Sequence, residues 1–203
     1  MRTIIINCLL ALLLWSCSHN ESVKTTDIEQ LEPNLSEFIK SDDWFWPIST
    51  SKASTYLFES NLKALIPSRQ GAHIQAVHDG VVHYIGEASK EILDSLELDF
   101  DFPEASSDLL MLILSHRIVG LDASVFTLYI NIQAPLVSLG QRVTKRQALA
   151  QVASGRFFHR FNYPEGTLVI GQSKPGELIF EARYKGENID LELFFAGIST
   201  QSN

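Results

Sequence analysis

The run Gly176-Glu177-Leu178-Ile179-Phe180-Glu181-Ala182-Arg183-Tyr184 alternates in residue type along its length. Successive side chains of an extended strand point to opposite faces, which puts Glu177, Ile179 and Glu181 on one face and Leu178 and Phe180 on the other. One face is apolar, and the other sets an aliphatic side chain between two carboxylates. The chain past residue 70 reads the same way. Ile74 to Tyr84 carries apolar and β-branched residues around Asp79-Gly80, a turn signal that favours a hairpin. Leu109 to Leu114 is an apolar run of strand length, and Phe126 to Ile132 alternates. Pro135 to Val152 holds two turns separated by short β pieces. After an aromatic-rich loop around Phe157 to Tyr163, Thr167 to Ile170 and Ile189 to Phe194 complete the set. Many short strands with regular turns indicate an all-β sandwich or half-barrel.

The N-terminus reads as a lipoprotein signal peptide. Arg2 gives a short positive region, Ile4 to Trp15 is almost wholly apolar, and Leu14-Trp15-Ser16-Cys17 is close to a lipobox. At about 12 residues the apolar run is too short to span a ~30 Å hydrocarbon core, which favours a cleaved signal. Cys8 would leave with it, so Cys17 would be the sole cysteine and no intramolecular disulfide could form. The expected job of Cys17 is to carry acyl chains, each buried CH₂ contributing about 0.8 kcal/mol. With Ser18 rather than Asp after it, a Gram-negative host would send the protein to the outer membrane, facing the periplasm. Loss of residues 1–16 removes Arg2 and no acidic residue, taking the net charge from −8 to −9. A chain this acidic is a poor binder of nucleic acid or anionic lipid through a general field, unless a local basic patch intervenes. The basic trio Arg142, Lys145 and Arg146 reads as a solvated turn.

About 185 residues then remain, enough for one domain and a tether. Residues 17–43 read as the tether, with Ile28, Leu31, Leu35 and Phe38 at helical spacing around an interrupting Pro33. The domain spans 44–197, opened by Trp44-Phe45-Trp46-Pro47 as an edge strand or core plug, and 198–203 is a tail. Two stretches read as insertions. Residues 87–108 carry eight acidic residues against Lys90 alone, with a Ser89-capped helical turn or two to Leu96. Residues 155–174 are rich in aromatic and basic side chains. Both read as solvated or packed loops, with a groove-flanking role as the sharper alternative.

Five segments together resemble the LytM-type (lysostaphin-like) zinc endopeptidases, which cut peptidoglycan. Gly71-Ala72-His73-Ile74-Gln75-Ala76-Val77-His78-Asp79-Gly80-Val81-Val82 resembles that family's strand and Gly-Val-Val turn. Ile113-Leu114-Ser115-His116 resembles the strand ending in histidine, and Leu128-Tyr129-Ile130-Asn131-Ile132 the Tyr-x-His segment that follows. Val137 to Val152 resembles the family's repeated Gly-Gln turn, with Arg146 in place of the second glycine. Glu177-Leu178-Ile179-Phe180-Glu181 resembles the His-Leu-His-Phe-Glu strand without its histidines. The resemblance implies an antiparallel β sandwich or half-barrel of the duplicated-hybrid-motif type behind a short helical tether.

Carried over residue by residue, the resemblance places the zinc-binding positions at Asn61, Leu65 and Ile179 and the assisting histidines at Asn131 and Glu177. Zinc needs three nitrogen, sulfur or carboxylate donors at about 2.0–2.3 Å and an open position for water. Leucine and isoleucine offer none, and neutral Asn131 cannot act as a general base. The resemblance therefore implies no zinc and no cofactor. His73, His78 and His83 recur at five-residue steps, which face opposite ways along a strand, so His73, His78, His83, His116 and His159 read as structural or surface residues. His116 stands out because its family position borders the groove. No Gly-x-Ser-x-Gly, P-loop or Gly-x-Gly-x-x-Gly is present.

Three functions follow as expectations. The first is a non-catalytic, lipid-anchored envelope protein similar to the EnvC/NlpD-type amidase activators. Its vacated groove of Asn61, Leu65, His116, Tyr129, Asn131, Glu177, Ile179 and Glu181 would bind a cell-wall amidase or other envelope protein, or peptidoglycan itself. The second is a divergent zinc endopeptidase with relocated ligands. The third is an envelope adaptor or carrier, because the Gly140 to Ala150 hairpin also resembles biotinyl/lipoyl-type hairpins. Against it, Lys145 sits within a basic trio and no heptad run appears.

Overall fold

The computed structural model describes residues 34–39, 43–48, 56–58, 63–88, 109–155, 158–162, 168–172 and 175–195. The signal peptide, Cys17, the helical positions Ile28 and Leu31, the Ser89 to Leu96 turn and Asn61 lie outside them. The described chain is all-β and antiparallel throughout. Its strands are β1 Tyr56–Phe58, β2 Lys63–Pro67, β3 His73–Gln75, β4 Gly80–Glu87, β5 Leu110–His116, β6 Val125–Gln133, β7 Arg142–Val143, β8 Ala148–Val152, β9 Phe158–Asn162, β10 Leu168–Gln172, β11 Glu177–Tyr184 and β12 Glu187–Asn188. The main sheet runs β1-β2-β11-β6-β5-β4-β7; β12 adds to β11, and β8 joins β3 to β6. β9 and β10 pair only with each other among the described residues.

Alternation along the strands separates two apolar clusters, one on each face of the sheet. Leu178, Phe180 and Ala182 join Ala64, Ile66, Leu112, Leu114 and Tyr129 in the larger one. Trp44 and Trp46 plug it, each crossing a ring of the C-terminal Phe194-Phe195 pair near a right angle. Ile179 joins Leu65, Met111, Ile113, Leu128 and Ile130 in the smaller one.

Several segments depart from the sequence expectation. Asp79-Gly80 closes no hairpin, because β3 pairs with β8 while β4 pairs with β5 and β7. Gly80 is required by close approach: a Cβ there would lie 2.8 Å from His116 Nδ1 and from the Ser115 carbonyl. Asp79 instead accepts from Lys145 N–H at 2.7 Å, tying the two halves of the chain. Residues 189–194 are not a strand; Asp190 accepts from Glu192 N–H and caps a one-turn 3₁₀-helix, Leu191–Leu193. The strand expected at Thr167 to Ile170 is present as β10, but it pairs with a strand, β9, where an aromatic-rich loop was expected. The domain also reaches back beyond residue 44, since Ile39 is buried in the larger core beside the 3₁₀-helix Leu35–Glu37.

The two turns between β6 and β8 repeat one design. Ser138 N–H donates to Gln141 Oε1 at 2.9 Å, and Thr144 N–H donates to Gln147 Oε1 at 3.1 Å. Each turn holds one left-handed residue, Gly140 at φ 76° and Arg146 at φ 67°. Glycine takes that conformation freely and arginine does not. Arg146 has a compensation, because its guanidinium carbon lies 3.7 Å from the centre of the Phe45 ring.

Candidate functional site

Residues directly opposite each other in adjacent antiparallel strands share a face, so the registers of β2, β11, β6 and β5 define rows across the sheet. Leu65, Ile179, Ile130 and Met111 form one row. Lys63, Glu181, Leu128 and Ile113 form the next. The first row brings together Leu65 and Ile179, two of the three positions matched to zinc ligands, although 114 residues separate them in the chain. Its four side chains are aliphatic or a thioether.

These positions form a packed floor rather than the expected open groove. Leu65 is 8% exposed, Ile179 and Glu177 are 7%, and Asn131 and Glu181 are fully buried. Burying one such aliphatic side chain contributes about 1.5–3 kcal/mol, so the row stabilises the sheet. The carboxylate of Glu181 is neutralised in place: Arg183 Nη2 lies 3.2 Å from it and Lys63 Nζ 3.9 Å.

Asn131 sits at a β-bulge. Met111 pairs with Ile130 and Leu110 with Ile132, leaving Asn131 as the extra residue at φ 72°. Asparagine is among the few side chains that tolerate this conformation. Its Nδ2 donates to the Glu177 carbonyl at 2.7 Å and to the Gly155 carbonyl at 3.2 Å, and its own carbonyl accepts from Ala153 N–H at 2.9 Å. Asn131 and Glu177, the two positions matched to assisting histidines, are thus in contact. The contact is a clasp joining β6, β11 and the segment after β8. Among the described residues, Asn131 Oδ1 is buried without a hydrogen-bond partner.

His116 and Tyr129 do not belong to this face, which corrects their assignment to the groove. Alternation along β5 and β6 turns both into the larger core, His116 against the Trp44 ring and Tyr129 against Phe180. There they form a buried polar chain. His116 Nδ1 lies 2.9 Å from the Asp79 carbonyl and Nε2 2.8 Å from Thr127 Oγ1. Thr127 Oγ1 is 3.5 Å from Tyr129 Oη, which accepts from Val77 N–H at 3.3 Å. Among the described residues, one direction gives every group of a neutral imidazole arrangement a partner. Val77 N–H donates to Tyr129, Tyr129 to Thr127, Thr127 to His116 Nε2, and Nδ1–H to the Asp79 carbonyl. Imidazole is therefore neutral, and burial lowers its pKa from 6.5 to about 4. Burial likewise raises Tyr129 above its ordinary value.

The residues present do not fit the zinc that active LytM-type enzymes hold at the matching positions. Leu65 and Ile179 hold hydrocarbon where donors would stand, and Asn131 spends its amide on backbone carbonyls. Lys63, the counter-charge of Glu181, carries no pattern in the sequence that could have marked it. The bulge did leave a trace: an asparagine between Ile130 and Ile132, where strict alternation would put both isoleucines on one face. No protein-family model matches the chain, and no curated protein matches it.

Proposed function

We propose that this chain is a non-catalytic LytM-like protein of the cell envelope, anchored through lipid on Cys17, that regulates peptidoglycan hydrolysis by binding a cell-wall amidase or another envelope protein. The reading assigns it a sandwich of the LytM type and no hydrolytic activity of its own. One observation carries most of its weight. Positions matched to ligands from segments 114 residues apart stand directly opposite one another in the sheet, and both are aliphatic. Chance alignment gives no reason for that convergence, whereas a hydrolase scaffold whose metal site has been filled does. The polar pair Asn131 and Glu177 beside the row supports the same alignment.

The burial of the floor refines the binding surface. A partner would engage the rim of this face, because Leu65 and Ile179 are already covered. The test is an amidase-activation assay with pull-down, using protein carrying Cys17→Ser, alongside metal analysis and turbidity of purified cell walls. Capture and activation of an amidase without wall clearing is the expected result. Stoichiometric zinc with clearing of walls by the protein alone would overturn the reading in favour of a divergent endopeptidase.

A further inference from the structure

The charge of this chain is segregated. Residues 123–164 contain five Lys or Arg and no Asp or Glu, within a chain of net charge −8. The loop between β6 and β8 lies in the middle of that stretch and carries exposed apolar side chains. Leu139 is 70% exposed and Leu136 54%, and Val81 on β4 is 36%. These are three of the four large hydrophobic residues exposed among the described residues. Hydrogen bonding puts Leu139 and Val81 in one place: Gly140 N–H donates to the Val82 carbonyl at 2.8 Å, and Val82 N–H to the Gln141 carbonyl at 2.9 Å. Arg142 stands directly opposite Val81, so it shares their edge of the sheet. Lys145 and Arg146 follow on the next turn, both exposed, with Arg146 braced on Phe45. The nearby carboxylate of Asp79 is engaged by the Lys145 backbone N–H.

We propose that this edge, Val81 with Leu136, Leu139, Arg142, Lys145 and Arg146, docks on the surface of an anionic lipid bilayer. Leu139 stands on a turn, Leu136 precedes it, and both are exposed; a bilayer accepts exposed apolar side chains without a matching pocket. Basic residues beside them meet lipid phosphates at the depth where the leucines enter. An acidic protein partner would need a concave apolar site of complementary shape. Repulsion of the remaining, acidic part of the chain from the same surface would orient the domain with this edge down. The inference does not depend on the fate of the metal site, and a hydrolase would dock in the same way.

The experiment is hydrogen–deuterium exchange on the full chain. It is run alone, with phosphatidylcholine vesicles, with vesicles of equal parts phosphatidylcholine and phosphatidylglycerol, and with soluble poly-glutamate. Slowing of exchange in residues 135–146 by several-fold, with the mixed vesicles only, is expected. Leu136→Ser with Leu139→Ser should abolish that slowing while exchange in β5 and β6, which reports folding, stays unchanged. Equal exchange in this segment with both kinds of vesicle overturns the proposal. Protection by poly-glutamate matching that by mixed vesicles also overturns it, and assigns the edge to an acidic protein.

Discussion

Protonating His116 must break the hydrogen-bond direction that serves its neutral imidazole among the described residues. With Nε2 protonated, Thr127 would have to turn its hydroxyl toward Tyr129. The Tyr129 oxygen would then face the Thr127 and Val77 donors with no acceptor left for its own proton. His78, whose ring centre is 5.9 Å away, adds repulsion when charged. The unfolded chain binds this proton at about 6.5 and the folded chain at about 4. Between those values the unfolded state holds more protons, so stability is fully present above pH 6.5 and is lost as pH falls toward 4. At about 1.4 kcal/mol for each factor of ten in proton affinity, the loss is about 3 kcal/mol. His116→Gln keeps one donor and one acceptor in reach and does not titrate. Urea unfolding followed by tryptophan fluorescence at pH 7 and pH 4 would give the stability of both proteins. Groups distant from His116 contribute equally in the two and cancel in the difference. The native protein should lose about 3 kcal/mol more than the variant over that interval. Parallel losses would refute both the neutral tautomer and the direction assigned to the chain of bonds.

Other consequences are open to the same measurement. Asn131→Gly keeps the left-handed backbone but removes two hydrogen bonds to buried carbonyls, and should cost about 1–3 kcal/mol; Asn131→Ala should cost roughly 1 kcal/mol more, for the strained φ. Arg146→Gly relieves strain but uncovers Phe45, so its effect should lie within about 0.5 kcal/mol of zero. In a Phe45→Ala background the same change should stabilise by about 1 kcal/mol, because only the backbone term remains. Ile179→Ala leaves a cavity in the aliphatic row and should cost about 2–5 kcal/mol, read as a lowered urea midpoint at unchanged slope. A cost below about 1 kcal/mol would mean the row is not packed as described.

The strands legible in the sequence were those whose pattern is local. The run at β11, the apolar β5 and the two turns before β8 all stand where alternation and turn residues put them. What failed was partner choice. Asp79-Gly80 carries a hairpin signal, yet the close approach of His116 and the long-range bond to Lys145 decide what that glycine does. Neither is visible without the fold. The site shows the same limit: alternation along β11, β5 and β6 separates Ile179 from Phe180 and turns His116 and Tyr129 away from Ile113 and Ile130, while which residues meet across the sheet depends on register. Nothing in the local sequence told that the floor is closed, since burial is a property of everything packed above it.

The bulge at Asn131 also constrains how this chain can lengthen or shorten. Before it, Ile130 faces the smaller cluster; after it, Ile132 faces the larger one and pairs with Val152 of β8. One residue therefore sets the parity of the strand. Deleting Asn131 would restore regular alternation and leave Ile132 on the larger cluster at the loss of the clasp to Glu177 and Gly155, whereas flattening the bulge with the residue retained would turn Ile132 toward the smaller cluster. Shortening by that one residue is the change of length that the pairing of this strand can absorb.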